Sequence, residues 1–134
     1  MGYPELAVEL FQYMAKSPKP PMEEPRNFSR GEIGILIYLN FIKDGVSSGE
    51  LSEYLTVSTG RVATALKSLE KKGFIVRRQD ASDKRRVIVF ITDAGRDFVV
   101  EGHNKGIEMT EKFLRKLSEE EAKEFVRLVK LIIT

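Results

Sequence analysis

Cysteine and tryptophan are absent from this 134-residue chain, and histidine occurs once, as His103. Without cysteine there is no disulfide framework, thiolate metal site, cysteine nucleophile or cysteine redox sensor. One histidine disfavours His-rich metal centres and Ser/His charge systems, and His103 itself is expected at a surface or interface. The longest apolar run, Ile33–Leu39, is far shorter than the roughly 20 residues of a membrane span. Glu5 and Glu9 stand where a secretory signal would carry positive charge. The sequence holds no P-loop, no G-x-G-x-x-G and no G-x-S-x-G. A cytoplasmic protein without membrane contact is expected, neither an enzyme nor a carrier of cofactor or metal.

What is present suffices for a packed core: 42% of residues are hydrophobic and 31% charged. A chain of this length commonly forms one domain. The formal net charge is only +2, but its distribution is uneven. Residues 57–86 hold nine basic side chains against three acids, a net of +6, which leaves 13 basic and 17 acidic residues, −4, for the remainder. A basic segment on an otherwise acidic protein is the electrostatic footprint of a phosphate-backbone binder, although a solvated basic face would look the same.

Helices announce themselves by their start signals. Leu6, Leu10, Phe11 and Met14 recur at helical spacing, so residues 4–15 read as a short amphipathic helix opening at Pro4. Four of the five prolines fall in 17–25, an extended connector rather than a helix, with Pro18-x-x-Pro21 as a lesser, proline-ligand reading. Ser29 with Glu32 and Ser47 with Glu50 make capping boxes, flanked by the staple pairs Phe28/Ile33 and Val46/Leu51. Helices are therefore expected over 30–42, mostly apolar and ending at Gly45 in a left-handed cap, and over 48–55. A third start, Ser58-Thr-Gly-Arg61, places a cation where the box would have glutamate, against the helix dipole, which suits a start that meets an anion.

The helix over 59–72 buries Val62, Ala65, Leu66 and Leu69, and its other face shows Thr59, Gly60, Arg61, Thr64, Lys67, Ser68 and Lys71. Together with 48–55 it forms a helix-turn-helix whose second helix suits a groove ~12 Å wide. Strands follow over 74–78 and 86–91, joined by a polar turn at 79–85, which makes a charged wing. Thr92 caps a long helix over 93–116, weakened in its middle by Gly102 and Gly106. Ser118 and Glu121 box the start of a last helix, with the stripe Ala122, Phe125, Leu128, Val129, Ile132. The fold class is mainly α with a small β-hairpin wing: a winged helix-turn-helix over about 29–95, flanked by helices over about 4–15 and 95–133.

Two spaced motifs carry a resemblance. Leu69-Glu-Lys-Lys-Gly73-Phe-Ile75 and Asp83-Lys-Arg85-Arg-Val-Ile-Val-Phe-Ile91-Thr92-Asp-Ala-Gly95 resemble the end of the recognition helix and the D-x-R wing with L-T-x-x-G junction of the MarR family of transcription factors. Ile91 replaces the usual leucine, and the N-terminal helix and connector are shorter than is typical. The resemblance implies a homodimer, held by its N- and C-terminal helices, on a pseudo-palindromic operator in double-stranded DNA. It implies a recognition surface of Ser58, Thr59, Gly60, Arg61, Thr64, Lys67 and Ser68. It also implies a wing of Asp83, Lys84, Arg85 and Arg86, in which Asp83 orients the minor-groove arginine Arg85. Repression relieved by a small-molecule effector is the family habit, for which Tyr13, Tyr38 and Phe41 are lining candidates. The competing reading is a winged-helix protein–protein module without DNA binding.

Overall fold

The computed structural model describes residues 2–15 and 28–133. The connector at 17–25, with Pro18 and Pro21, lies outside the described residues. The chain divides into two compact units, Met22–Val100 and Met1–Pro21 with Glu101–Thr134.

In the first unit, α2 (Arg30–Ile37) starts from Ser29 with both arms of the capping box in place. The Glu32 amide donates to Ser29 Oγ at 3.1 Å, and the Ser29 amide donates to Glu32 Oε1 at 3.3 Å. Phe28 and Ile33 both pack on the same core, and Phe28 stacks on Phe98 and Phe74, with centroids 4.6 and 5.8 Å away. The helix does not stay α-helical to residue 42. Tyr38–Ile42 forms a wider π-helical turn, closed by the Lys43 amide donating to the Tyr38 carbonyl at 2.9 Å. It ends where Asp44 ties the chain down: Asp44 Oδ1 accepts from the amides of Gly45 and Ile91, each at 3.0 Å, and Oδ2 from Arg96 at 2.9 Å. Gly45 takes the expected left-handed conformation, φ +69°.

The second capping box is only half formed. Ser47 Oγ accepts from the Glu50 amide at 3.2 Å, capping α3 (Ser48–Leu55). The Glu50 carboxylate turns instead to the buried Tyr38 hydroxyl, which donates to it. That bond, with burial and the negative charge of Glu50, pushes the Tyr38 pKa up to about 12. Thr56 follows in the left-handed region at φ 55°, and Ser52 Oγ donates to the Val57 carbonyl at 2.6 Å, fixing the turn into α4 (Thr59–Lys71).

The sheet has a strand that periodicity did not predict. Val46–Ser47 (β1) pairs with Val87–Ile91 (β3), which also pairs with Ile75–Gln79 (β2), giving the antiparallel order β1-β3-β2. Two residues are too few to show a period of two. Phe74 and Arg86, expected in the strands, serve turns instead. The Phe74 amide donates to the Leu69 carbonyl at 3.0 Å, and the Arg86 amide to the Asp83 carbonyl at 2.9 Å. One core unites Ile35, Leu36, Leu39, Val46, Leu51, Val62, Leu66, Leu69, Ile75 and Val89.

The helix α5 (Asp93–Leu114) runs without a break through Gly102 and Gly106. In the second unit, α1 (Tyr3–Ala15) packs on α6 (Glu119–Ile133), burying Leu6, Ala7, Leu10, Leu114, Ala122 and Val126. Both arms of the Ser118/Glu121 box are made. The expected α6 stripe splits into two lines. α1 lies along Ala122, Val126 and Val129, whereas Phe125, Leu128 and Ile132 stay exposed within this chain, Ile132 at 81%. His103 is half-buried, edge-on to Phe11 at 5.1 Å.

Glu32 is the one charged residue among the described residues that is buried. Besides its capping role it accepts from Lys72 Nζ at 2.6 Å and Ser68 Oγ at 3.3 Å. Removing one partner of such a pair strands the other. Glu32→Ala is expected to lower unfolding free energy by about 2–3 kcal/mol, discounted for the partial exposure of Lys72. Urea unfolding followed by far-UV circular dichroism measures it; a loss below about 0.5 kcal/mol would show the network to be incidental.

Candidate nucleic-acid interface

The seat of α4 decides which of its side chains point outward. Val62, Ala65, Leu66 and Leu69 are buried in the core, and Ser68 and Lys72 reach inward to Glu32. Ser68, read from the sequence as part of the outer face, is therefore half-buried with its hydroxyl committed to Glu32. Thr59, Gly60, Arg61, Thr64, Lys67 and Lys71 are exposed. Ser58 is spent partly on the helix: its Oγ accepts from the Arg61 amide at 3.2 Å, which leaves its O–H free to donate. Thr64 Oγ1 donates back to the Gly60 carbonyl at 3.0 Å, so toward a ligand that oxygen can only accept.

The wing tip is built by short-range hydrogen bonds. Asp80 Oδ1 accepts from the amide and hydroxyl of Ser82, at 2.9 and 2.8 Å, and these bonds hold its carboxyl below the usual range. Asp83 Oδ1 accepts from the Arg85 amide at 3.0 Å and from Arg85 Nε at 3.3 Å. The rest of the Arg85 guanidinium projects into solvent, with the side chain 94% exposed. Lys84 and Arg86 are exposed beside it.

The nine cations of residues 57–86 therefore fall into classes that sequence alone did not separate. Lys72 is held by Glu32, and Arg77 by Glu70. Arg78 lies over the Phe90 ring, 5.8 Å from its centroid. Arg61, Lys67, Lys71 and Lys84 pair with no carboxylate among the described residues. No sequence signal marks the pairs to Glu32 and Glu70, because the partners lie 40 and seven residues away. Among the aromatic candidates for an effector site, Tyr38 is buried against Glu50 and Phe41 packs on the core. Tyr13 belongs to the other unit, where its hydroxyl donates to the Lys130 carbonyl at 3.5 Å.

Comparison with known proteins agrees with this architecture. The sequence profile of the MarR family matches residues 26–86. The HTH-type transcriptional regulator BilQ of Clostridium symbiosum (strain WAL-14163) is 32% identical over 99 residues, 72% of this chain and 69% of BilQ. The chain belongs to the MarR family. The transcriptional regulator HosA of Escherichia coli O157:H7 is 34% identical over 88 residues, 66% of this chain, and the match spans just under two thirds, 65%, of HosA. A mutant MepR of Staphylococcus aureus superposes with a TM-score of 0.71 at 28% identity over 79% of each chain. FabT of Streptococcus pneumoniae, solved in complex with DNA, gives 0.65 at 28% identity over 80% of this chain and 77% of FabT.

In this MarR-family chain the two motifs that carried the resemblance meet in space. The Thr92 amide donates to the Phe74 carbonyl at 3.0 Å, and Thr92 Oγ1 to the Gly73 carbonyl at 2.7 Å. Any Cβ on Gly95 would lie 2.3 Å from that same Phe74 oxygen, so only glycine fits. The end of α4 is thereby fastened to the strand-to-helix junction after the wing. No helix among the described residues is long and apolar enough to cross a membrane.

Proposed function

We propose that this chain is a sequence-specific double-stranded DNA-binding transcriptional regulator that acts as a homodimer on a pseudo-palindromic operator. The observation that carries the reading is the sorting of charge. Lys72 and Arg77 are neutralised by Glu32 and Glu70, while Arg61, Lys67 and Lys71 on α4 and Lys84 at the wing tip pair with no carboxylate among the described residues, and Arg85 projects into solvent beyond its bond to Asp83. A surface that is merely solvated has no need of an Asp83-oriented arginine at 94% exposure. In this reading Thr59, Gly60, Arg61, Thr64 and Lys67 enter the major groove, where Arg61 or Lys67 meets a guanine edge and Thr64 accepts from a base amino group. Ser58 donates to a phosphate, and Arg85 lies in or beside the minor groove, flanked by Lys84 and Arg86. The DNA complex of the structural neighbour FabT supports the same direction.

Phe113, Phe125, Leu128, Leu131 and Ile132 support the dimer, since five exposed large apolar side chains at the C-terminal end of one chain are a surface that a second copy would cover. The finer reading is a repressor released by a small-molecule effector. Two outcomes check the proposal. Arg85→Ala should weaken binding to a selected duplex by about 1–3 kcal/mol in fluorescence anisotropy, with dimerisation intact. Unchanged affinity would remove the wing from the interface. Leu131→Asp should shift sedimentation from twice the chain mass toward the monomer and weaken duplex binding with it. A wild-type chain that sediments as a monomer at micromolar concentration would contradict the homodimer.

A further inference from the structure

Resting on that reading, one pair within the basic segment has a role that charge counting hides. Arg77 lies on β2 and Glu70 in the last turn of α4, and the two meet in a fork: Nη2 to Oε1 at 2.9 Å and Nε to Oε2 at 3.4 Å. The guanidinium holds the Glu70 carboxyl below its ordinary range, and the carboxylate raises Arg77 in turn. Both local fields argue against a glutamate at this place. A carboxylate in the last turn opposes the helix dipole, and an acid beside a phosphate-binding face repels the ligand. Arg77 for its part is turned onto Glu70, whereas its neighbour Arg78 lies over Phe90.

We infer that Glu70 and Arg77 form a strut between the recognition helix and the wing. Arg77 acts on DNA only by holding β2, and through it the Asp83–Arg85 tip, at a set height from α4. The pair bridges the two elements outside the core, where the Lys72-Gly73-Phe74 connection alone joins them in sequence. It is a positioning pair, and neither side chain touches the duplex.

The sign of one substitution decides the matter. If Arg77 were a phosphate contact, Glu70→Ala would free it and remove a repulsive charge, so affinity would rise. The strut requires the opposite. The probe is a duplex enriched by the wild-type protein from a random-sequence pool, titrated by anisotropy, with unfolding midpoints recorded for every variant. Glu70→Ala, Arg77→Ala and the double variant should each weaken binding about three- to fivefold, without additivity, as an exposed ion pair allows. The exchanged pair Glu70→Arg with Arg77→Glu should restore affinity. In hydroxyl-radical footprints the single variants should lose minor-groove protection at the flanks and keep the central major-groove contacts. Tighter binding by Glu70→Ala, additive losses, or an exchanged pair no better than the singles would overturn the strut while leaving DNA binding intact. Failure of the wild type to enrich or retain any duplex at low salt would overturn both.

Discussion

A carboxylate taken out of water near the start of α2 governs how the winged unit presents its surface. Glu32 closes its own helix start at Ser29, accepts from Ser68 and ion-pairs with Lys72, so that one side chain joins the first turn of α2 to the C-terminal half of α4. Burying such a charge is costly unless several donors meet it, and here three do. The consequence reaches the far side of the helix. With Ser68 and Lys72 drawn inward, the rotation of α4 about its axis is fixed, and Gly60, Thr64, Lys67 and Lys71 are among the residues left facing out.

A second constraint acts on the wing. The Phe74 carbonyl receives the Thr92 amide, Thr92 Oγ1 reaches the Gly73 carbonyl, and Gly95 leaves room for that approach. The hairpin's two ends are thus fastened at one place, next to the end of α4. The tip is left to be shaped by Asp80 and Asp83 through bonds within a few residues. Helix and wing can then act as one surface although their residues come from separate stretches of chain.

Much of this is legible in the sequence because capping is local. The serines at 29, 47, 58 and 118 each mark the helix start that follows, since the partner of each cap lies three residues away. The same reasoning failed wherever a local partner was outbid by a distant one. Glu50 looked like a box residue and went to Tyr38; Ser68 looked like part of the outer face and went to Glu32. Lys72 and Arg77 counted toward a basic segment although each is held by an acid that only the folded chain brings near. β1 is two residues long, and the segment 30–42 is apolar on most sides, so the phase shift of a π-helical turn at 38–42 displaces no visible stripe; neither has a periodic signature. The α6 stripe looks like one face in the sequence because a helical repeat does not say how wide the neighbouring helix is.

The account stands on the outward half of α4 and the tip of the hairpin meeting duplex DNA together. The most direct measurement is a titration of the ¹⁵N-labelled protein with a selected duplex, followed by amide and guanidinium chemical shifts. The shifts should concentrate at Ser58–Lys67 and Asp83–Arg86, with Ser68, Lys72 and the Glu32 amide moving little. Perturbations centred on α1 and α6 instead, or none at saturating duplex, would contradict it.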